Sequence, residues 1–260
     1  MMQDKASSVE EWFSERQRVS NVELAVSSPL EAAKAIVAGS CALPGTHIHL
    51  INAYSIALAQ SSPDYREALS SPAINLPDGK PVSWASRFLR HYPRLSQVRG
   101  PQLFLDIFDL GRQANLRHFL LGSTPQVLDA LQENLVTSFP GTTIVGAESP
   151  PFRPMTTDER ARQDERIVAS GADVVWVGLG TPKQDYEAAR LATSTGITTI
   201  AVGAAFDFAA GTLPEAPEWM KKAGLEWAFR FATEPRRLWR RYLIGNFVFL
   251  RAIFRQATNG

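Results

Sequence analysis

Between residues 100 and 203, short apolar runs alternate with longer helix-forming stretches, and a turn follows each run. His118–Leu121 leads through Gly122-Ser123-Thr124-Pro125 into a helical stretch ending at Phe139. Thr143–Ala147 leads through a proline-rich loop into Thr157–Ser170. Asp173–Val177 leads through Gly178-Leu179-Gly180-Thr181-Pro182 into Lys183–Ser194, and Thr198–Val202 leads into Gly203-Ala204-Ala205-Phe206-Asp207. Continuously apolar strands joined by helices of ten or more residues need a parallel sheet covered on both faces. Right-handed crossovers then make this an α/β, Rossmann-like, doubly wound fold. The same rhythm begins earlier. Helices are predicted at Pro29–Ala38 (with Ser28 as N-cap), Ala53–Gln60, Pro63–Leu69, Val82–Leu89 and Pro101–Asn115. Strands are predicted at His47–Ile51 and at Ala73–Leu76, which ends in Pro77-Asp78-Gly79. Residues 1–28 read as a loosely ordered arm with one short helix, 29–220 as the core and 221–260 as a helical appendage.

Charge separates the appendage from the rest. Nine basic and two acidic side chains between Lys221 and Gly260 leave it at +7, so the net +1 of the whole chain puts −6 on the first 220 residues. Such an end is built to meet something negative. Arg230, Arg237 and Arg241 fall at i, i+7 and i+11, one face of a single helix, with Arg240 nearby. Arginine forks match phosphate oxygens, whereas a merely solvated basic face is the plainer alternative. Trp239, Tyr242, Phe247, Phe249 and Phe254 alternate with the arginines and suit an anionic membrane surface better than a nucleic-acid duplex. No apolar run reaches the length of a transmembrane span, and the N-terminus lacks the apolar region of a secretory signal. A cytoplasmic protein, peripheral on the inner face of the plasma membrane, is expected. The lone Cys41 fits a reducing compartment and reads as a small buried hydrophobe. The four histidines have no metal-ligand spacing, and there is no Asp-x-Asp motif.

In open α/β sheets ligands bind beyond the carboxyl ends of the strands. The residues just after the strands are therefore candidates, each with a plainer competitor. Asp78 can be a turn aspartate bonding its own backbone. Asn52 can be a helix N-cap. Lys183 can be a solvated lysine, and Asp207 can serve helix entry. As a dinucleotide fingerprint the Gly178–Gln184 turn fails, because Lys183 stands where a third glycine is required.

Taken in order, Asn52, Leu76-Pro77-Asp78-Gly79, Val98-Arg99-Gly100, Gly178-Leu179-Gly180-Thr181-Pro182-Lys183-Gln184, Val202–Gly211, Ala216–Met220, Gly224-Leu225-Glu226-Trp227 and Glu234–Leu243 resemble the WecG/TagA/CpsF glycosyltransferases. The resemblance spans roughly residues 29–250. It implies an inverting, metal-independent enzyme without cofactor. Such an enzyme moves N-acetylmannosamine, its uronic acid or another hexose or uronic acid from UDP to a polyprenyl-diphosphate-linked sugar, in cell-surface polysaccharide synthesis. It implies Asp78 as the base. It also implies substrate contacts from Asn52, Gly180, Thr181, Pro182, Lys183, Gln184, Gly203 and Asp207, and diphosphate contacts from Arg230, Arg237, Arg240 and Arg241. Two departures lie near the expected sugar pocket. Leu50 stands where the family commonly has threonine, and Gln97 where it commonly has arginine, with Arg94 or Arg99 as substitutes. The competing expectation is a non-catalytic nucleotide-sugar or lipid-binding protein on the same fold. Self-association is left open.

Overall fold

The computed structural model describes residues 12–40, 45–70 and 72–259, so Cys41 lies outside the described residues. Six parallel strands form the central sheet: β3 (His47–Ile51), β4 (Ala73–Pro77), β5 (Arg117–Gly122), β6 (Thr143–Glu148), β7 (Val174–Gly178) and β8 (Thr198–Ala201), in the order β4-β3-β8-β7-β5-β6. The Rossmann-like expectation holds. Each central strand is almost wholly buried because helices cover both faces, which is why alternation is lost and the strands read as apolar runs.

One face packs against α1 (Pro29–Gly39), α5 (Gly100–Gly111) and α6 (Pro125–Ser138), burying Ile36, Phe104, Ile107, Leu131, Trp176 and Phe206 in one cluster. Ser28 starts α1 with a capping box shared with Glu31, as its sequence signature predicts. The other face packs against α7 (Thr157–Ala169) and α8 (Lys183–Thr195) through Ile167, Ala188 and Leu191. The connection after β3 carries α2 (Ala53–Ser61) and α3 (Pro63–Ala68), and β4 runs into α4 (Lys80–Phe88).

Two expectations need correction. Residues 16–25 are not part of a loose arm with one helix: β1 (Arg16–Val19) and β2 (Val22–Ala25) form an antiparallel hairpin. Val19, Val22 and Leu24 are buried against Ile56, Tyr65 and Val82. Strands of four residues offer too few alternations to show in sequence, and the partners that bury them are remote. The appendage is also not one helix. It divides into α10 (Glu218–Ala223), α11 (Glu226–Thr233) and α12 (Pro235–Asn259), with a break at Glu234 and Pro235. Pro235 cannot donate to the preceding turn, so α12 starts there. Arg230 and Arg241 therefore sit on different helices, and the single-face spacing does not apply.

Helix α12 packs along α2. A Cβ on Gly245 would come within 2.8 Å of the Tyr54 ring, so glycine sets the closeness of this crossing. Phe249 and Ile253 join the hydrophobic cluster around α2. At the far end Gln256 accepts from the Ser20 N–H and donates to the Arg18 carbonyl at 2.9 Å. The hairpin is the seat that receives the last turns of the chain.

Gly122 ends β5 at φ 132°, where its hydrogen faces β7. A Cβ there would lie 2.5 Å from the Gly178 carbonyl oxygen, a backbone atom that cannot swing aside. Gly122→Ala is expected to cost about 2–4 kcal/mol, from overpacking and positive-φ strain together. Gly141→Ala, with positive φ but nothing within 4 Å, should cost only about 1 kcal/mol. Urea unfolding of the two variants checks the contrast, and equal midpoints would exclude the close approach as the cause.

Candidate active site

Four adjacent strands deliver polar residues to one end of the sheet. Asn52 follows β3 and caps α2, its side-chain oxygen accepting from the N–H groups of Tyr54 at 3.0 Å and Ser55 at 3.2 Å. The cap uses only that oxygen, so the NH2 group keeps its donors for a ligand. Asp78 follows β4, its N–H bonded to the Ile51 carbonyl at 2.8 Å. This ties the two strand ends together. The Val98 N–H donates to the Pro77 carbonyl at 2.7 Å and lays Arg99 alongside.

Beyond β7, Gly180 opens onto free space at φ 76°. Thr181 does not cap the next helix: α8 begins after Pro182 with no side-chain cap. Lys183 is exposed, as a solvated lysine would be, whereas Gln184 is 3% exposed. The Gln184 amide oxygen has no partner and lies beside Gly203, where a Cβ would meet it at 3.4 Å. A buried acceptor left unsatisfied is costly and marks a place for a ligand donor or water. Asp207 lies half-buried in the first turn of α9 (Ala205–Ala209). Leu50 points away into the core, against Gly100. Of the two proposed substitutes for the family arginine, Arg94 is exposed and Arg99 reaches the site.

The appendage completes the cleft. Asp78 retains a solvent-facing edge, yet the protein around it pushes its pKa up to about 6. Desolvation is the main cause, and the Glu226 carboxylate adds to it, against Arg99, Arg230 and Arg241. The Arg241 guanidinium is desolvated enough that its pKa is lowered by burial, with Arg230 adding to the effect. Tyr54 lies under Arg241 at 5.3 Å and Phe208 under Arg230 at 5.6 Å. Neither arginine has a carboxylate ion-pair partner among the described residues, and Arg230 Nε is buried without any acceptor. Guanidinium groups held on aromatic faces without carboxylates are prepared for an incoming anion. Arg240 stands apart, exposed and stacked on Trp239 at 5.1 Å. The Arg237 side chain lies outside the described residues.

Two features do not show in the sequence. Glu226 belongs to the Gly224-Leu225-Glu226-Trp227 motif, but only the fold shows it facing Asp78. Under the site, His47 and His49 form a buried chain with Asp185 and Tyr65. His47 Nδ1 meets His49 Nε2 at 2.7 Å, and His49 Nδ1 meets Asp185 Oδ1 at 3.0 Å. The Tyr65 hydroxyl donates to Asp185 Oδ2 at 3.0 Å. Burial, with His49 adding, pushes the His47 pKa down to about 4, so it is neutral at pH 7. The chain fixes the start of α8, where Gln184 sits. Its only trace in the sequence is a His-x-His pair on an apolar strand.

The cleft thus brings together a half-buried carboxylate, a carboxamide and two guanidinium groups without carboxylate partners among the described residues, at the carboxyl ends of a parallel sheet. The model of the glycosyl transferase WecG/TagA/CpsF family matches residues 17–260. The chain is also similar to an N-acetylglucosaminyldiphosphoundecaprenol N-acetyl-beta-D-mannosaminyltransferase of Bacillus spizizenii, with 32% identity over 186 residues, covering 71% of this chain and 70% of the relative. The protein is a glycosyltransferase and belongs to the WecG/TagA/CpsF family.

Proposed function

We propose that this glycosyltransferase moves a sugar from a UDP-sugar to a polyprenyl-diphosphate-linked sugar at a membrane surface, by a single inverting displacement that needs no metal. The observation that carries the reading is the pairing of Asp78 with Arg230 and Arg241 in one cleft. The acceptor hydroxyl oxygen attacks the anomeric carbon as the bond from that carbon to the diphosphate oxygen breaks. Asp78 takes the hydroxyl proton, and a base near pKa 6 is well matched to neutral pH. UDP leaves with the bonding pair, and Arg230 and Arg241 offset its growing charge. Asn52 and Gln184 orient the donor through their remaining amide groups. The Bacillus spizizenii relative, whose name specifies an N-acetylmannosaminyl group, makes UDP-N-acetylmannosamine the first donor to try.

Membrane contact falls to α12. Trp239, Leu243, Phe247, Leu250 and Phe254 form one exposed stripe of that helix, beside the Phe249 and Ile253 face that packs on α2. Trp84 and Phe88 of α4 extend the stripe, Phe88 meeting Phe254 edge to face at 5.5 Å. Among the described residues no helix is long and apolar enough to cross a membrane. Apolar stripes flanked by arginines bind at the headgroup level of anionic bilayers.

The test is UDP release by the purified protein, with a panel of UDP-sugars and a short-chain polyprenyl-diphosphate-linked N-acetylglucosamine. Acceptor-dependent release with one donor supports the reading. UDP binding with no release for any donor, on acceptors of several chain lengths, would favour a binding protein instead.

A further inference from the structure

Four charged groups face Asp78: Arg99 from the segment before α5, Glu226 and Arg230 from α11, and Arg241 from α12. The proposed function already assigns Arg230 and Arg241 to the diphosphate. Arg99 and Glu226 take no part in that, although their geometry is specific. Arg99 Nε donates to Glu226 Oε2 at 3.1 Å and Arg99 Nη2 to Glu226 Oε1 at 3.0 Å, a two-point fork. Arg99 Nη2 also reaches Glu215 Oε2 at 3.4 Å, and Lys221 bridges Glu215 and Glu218. The side chains of Arg99 and Glu226 are 20% and 24% exposed, so the pair is only partly screened by water.

The fork joins two parts of the chain. Arg99 belongs to the core, one residue from the Val98–Pro77 bond that anchors its segment to the end of β4. Glu226 opens α11 of the appendage. Without Glu226, three guanidinium groups would act on the Asp78 carboxylate, with only Glu215, at 3.4 Å, left to pair with Arg99. They would stabilise its ionised form and make it a poor proton acceptor.

We propose that Glu226 is a positioning residue for transfer: gripped by Arg99, it cancels guanidinium charge beside Asp78 and lets the aspartate act as a base once the appendage is seated. The inference rests on the reading of Asp78 as the base. It makes appendage docking part of the chemistry as well as of diphosphate binding.

The two partners of the fork carry opposite charges, so their removal has opposite consequences. Glu226→Gln keeps the shape and loses the negative charge. Its acid limb in the pH profile of kcat should move down by about one unit. Its plateau kcat should fall about three- to tenfold as the base weakens, with little change in the donor KM. Arg99→Gln should move the acid limb up. Glu226→Asp, which restores the charge, should bring the limb back toward wild type. All are measured with UDP-N-acetylmannosamine and the short-chain acceptor, beside circular dichroism and thermal unfolding. A mere structural latch would loosen in both variants and move both profiles the same way or not at all, and either result overturns the proposal. Asp78→Asn, run in parallel, separates the two levels. Full activity there sinks the base itself, whereas loss there with unmoved limbs in the fork variants removes only the role of Glu226.

Discussion

Asp78→Asn is expected to abolish transfer and stabilise the protein at the same time. Loss of a general base costs about 10²–10⁴ in kcat. The stability gain follows from the same burial that tunes the base. The Asp78 pKa lies near 6 in the folded protein, above its ordinary value of 3.8, so the native state holds this proton more tightly than the unfolded chain. The native state therefore carries no penalty from Asp78 below about pH 4. The penalty grows as pH rises toward 6 and is complete above it. Its full size is about 3 kcal/mol, and the solvent-facing edge of Asp78 reduces it to about 1–3 kcal/mol. The amide has no charge to desolvate. The variant should melt higher than wild type by about 2–4 °C per kcal/mol at pH 7.5, and the gap should close at pH 4. Differential scanning at the two pH values, with UDP affinity as a fold control, reads the effect. A variant less stable than wild type at pH 7.5 would contradict the raised pKa.

Arg241→Ala should strike donor use hardest of the appendage substitutions. The guanidinium is desolvated, has no carboxylate ion pair among the described residues, and lies over Tyr54 at 5.3 Å. Truncating one member of a buried charge pair costs about 2–5 kcal/mol. A fall in kcat/KM for the UDP-sugar of about 30- to 5,000-fold is therefore expected. Arg241→Lys should recover only part of this, because an ammonium cannot present a planar fork to a diphosphate. Arg240→Ala, on a residue that faces solvent beside Trp239, should leave donor affinity within about twofold of wild type. Calorimetric titration with UDP separates the three. Equal affinity in Arg241→Ala and wild type would move the diphosphate elsewhere.

Much of the architecture is legible in the sequence, for reasons particular to each segment. Val174–Gly178 and Thr198–Ala201 are short apolar runs bounded by glycine turns, and a parallel sheet follows from burial on both faces. Ser28 with Glu31 marks the start of α1 by residue type and spacing alone. Asp78, Asn52 and Gln184 are found because they follow strands, where backbone polarity and open space coincide. Each depends mainly on its neighbours in the chain, and such local dependence is what a sequence records.

The remainder depends on partners distant in the chain. Asp78 and Glu226 are separated by most of the molecule, and nothing near either residue announces that their charges interact. The i, i+7, i+11 spacing of the arginines assumed one helix, but Pro235 starts another, so Arg230 and Arg241 reach the cleft by different routes. The hairpin at Arg16–Ala25 exists because α2, α4 and the end of α12 bury it, and four-residue strands carry too weak a pattern to foretell that. His47 and His49 stand out only as polar residues on an apolar strand, and they become a buried hydrogen-bond chain because Asp185 and Tyr65 arrive from α8 and α3. The sequence by itself determined the sheet, the glycine turns and the residues that could do chemistry, since these follow from local periodicity and turn stereochemistry. The tertiary structure alone decided which charges face one another, since desolvation and Coulomb interactions depend on distance in space and are indifferent to distance along the chain.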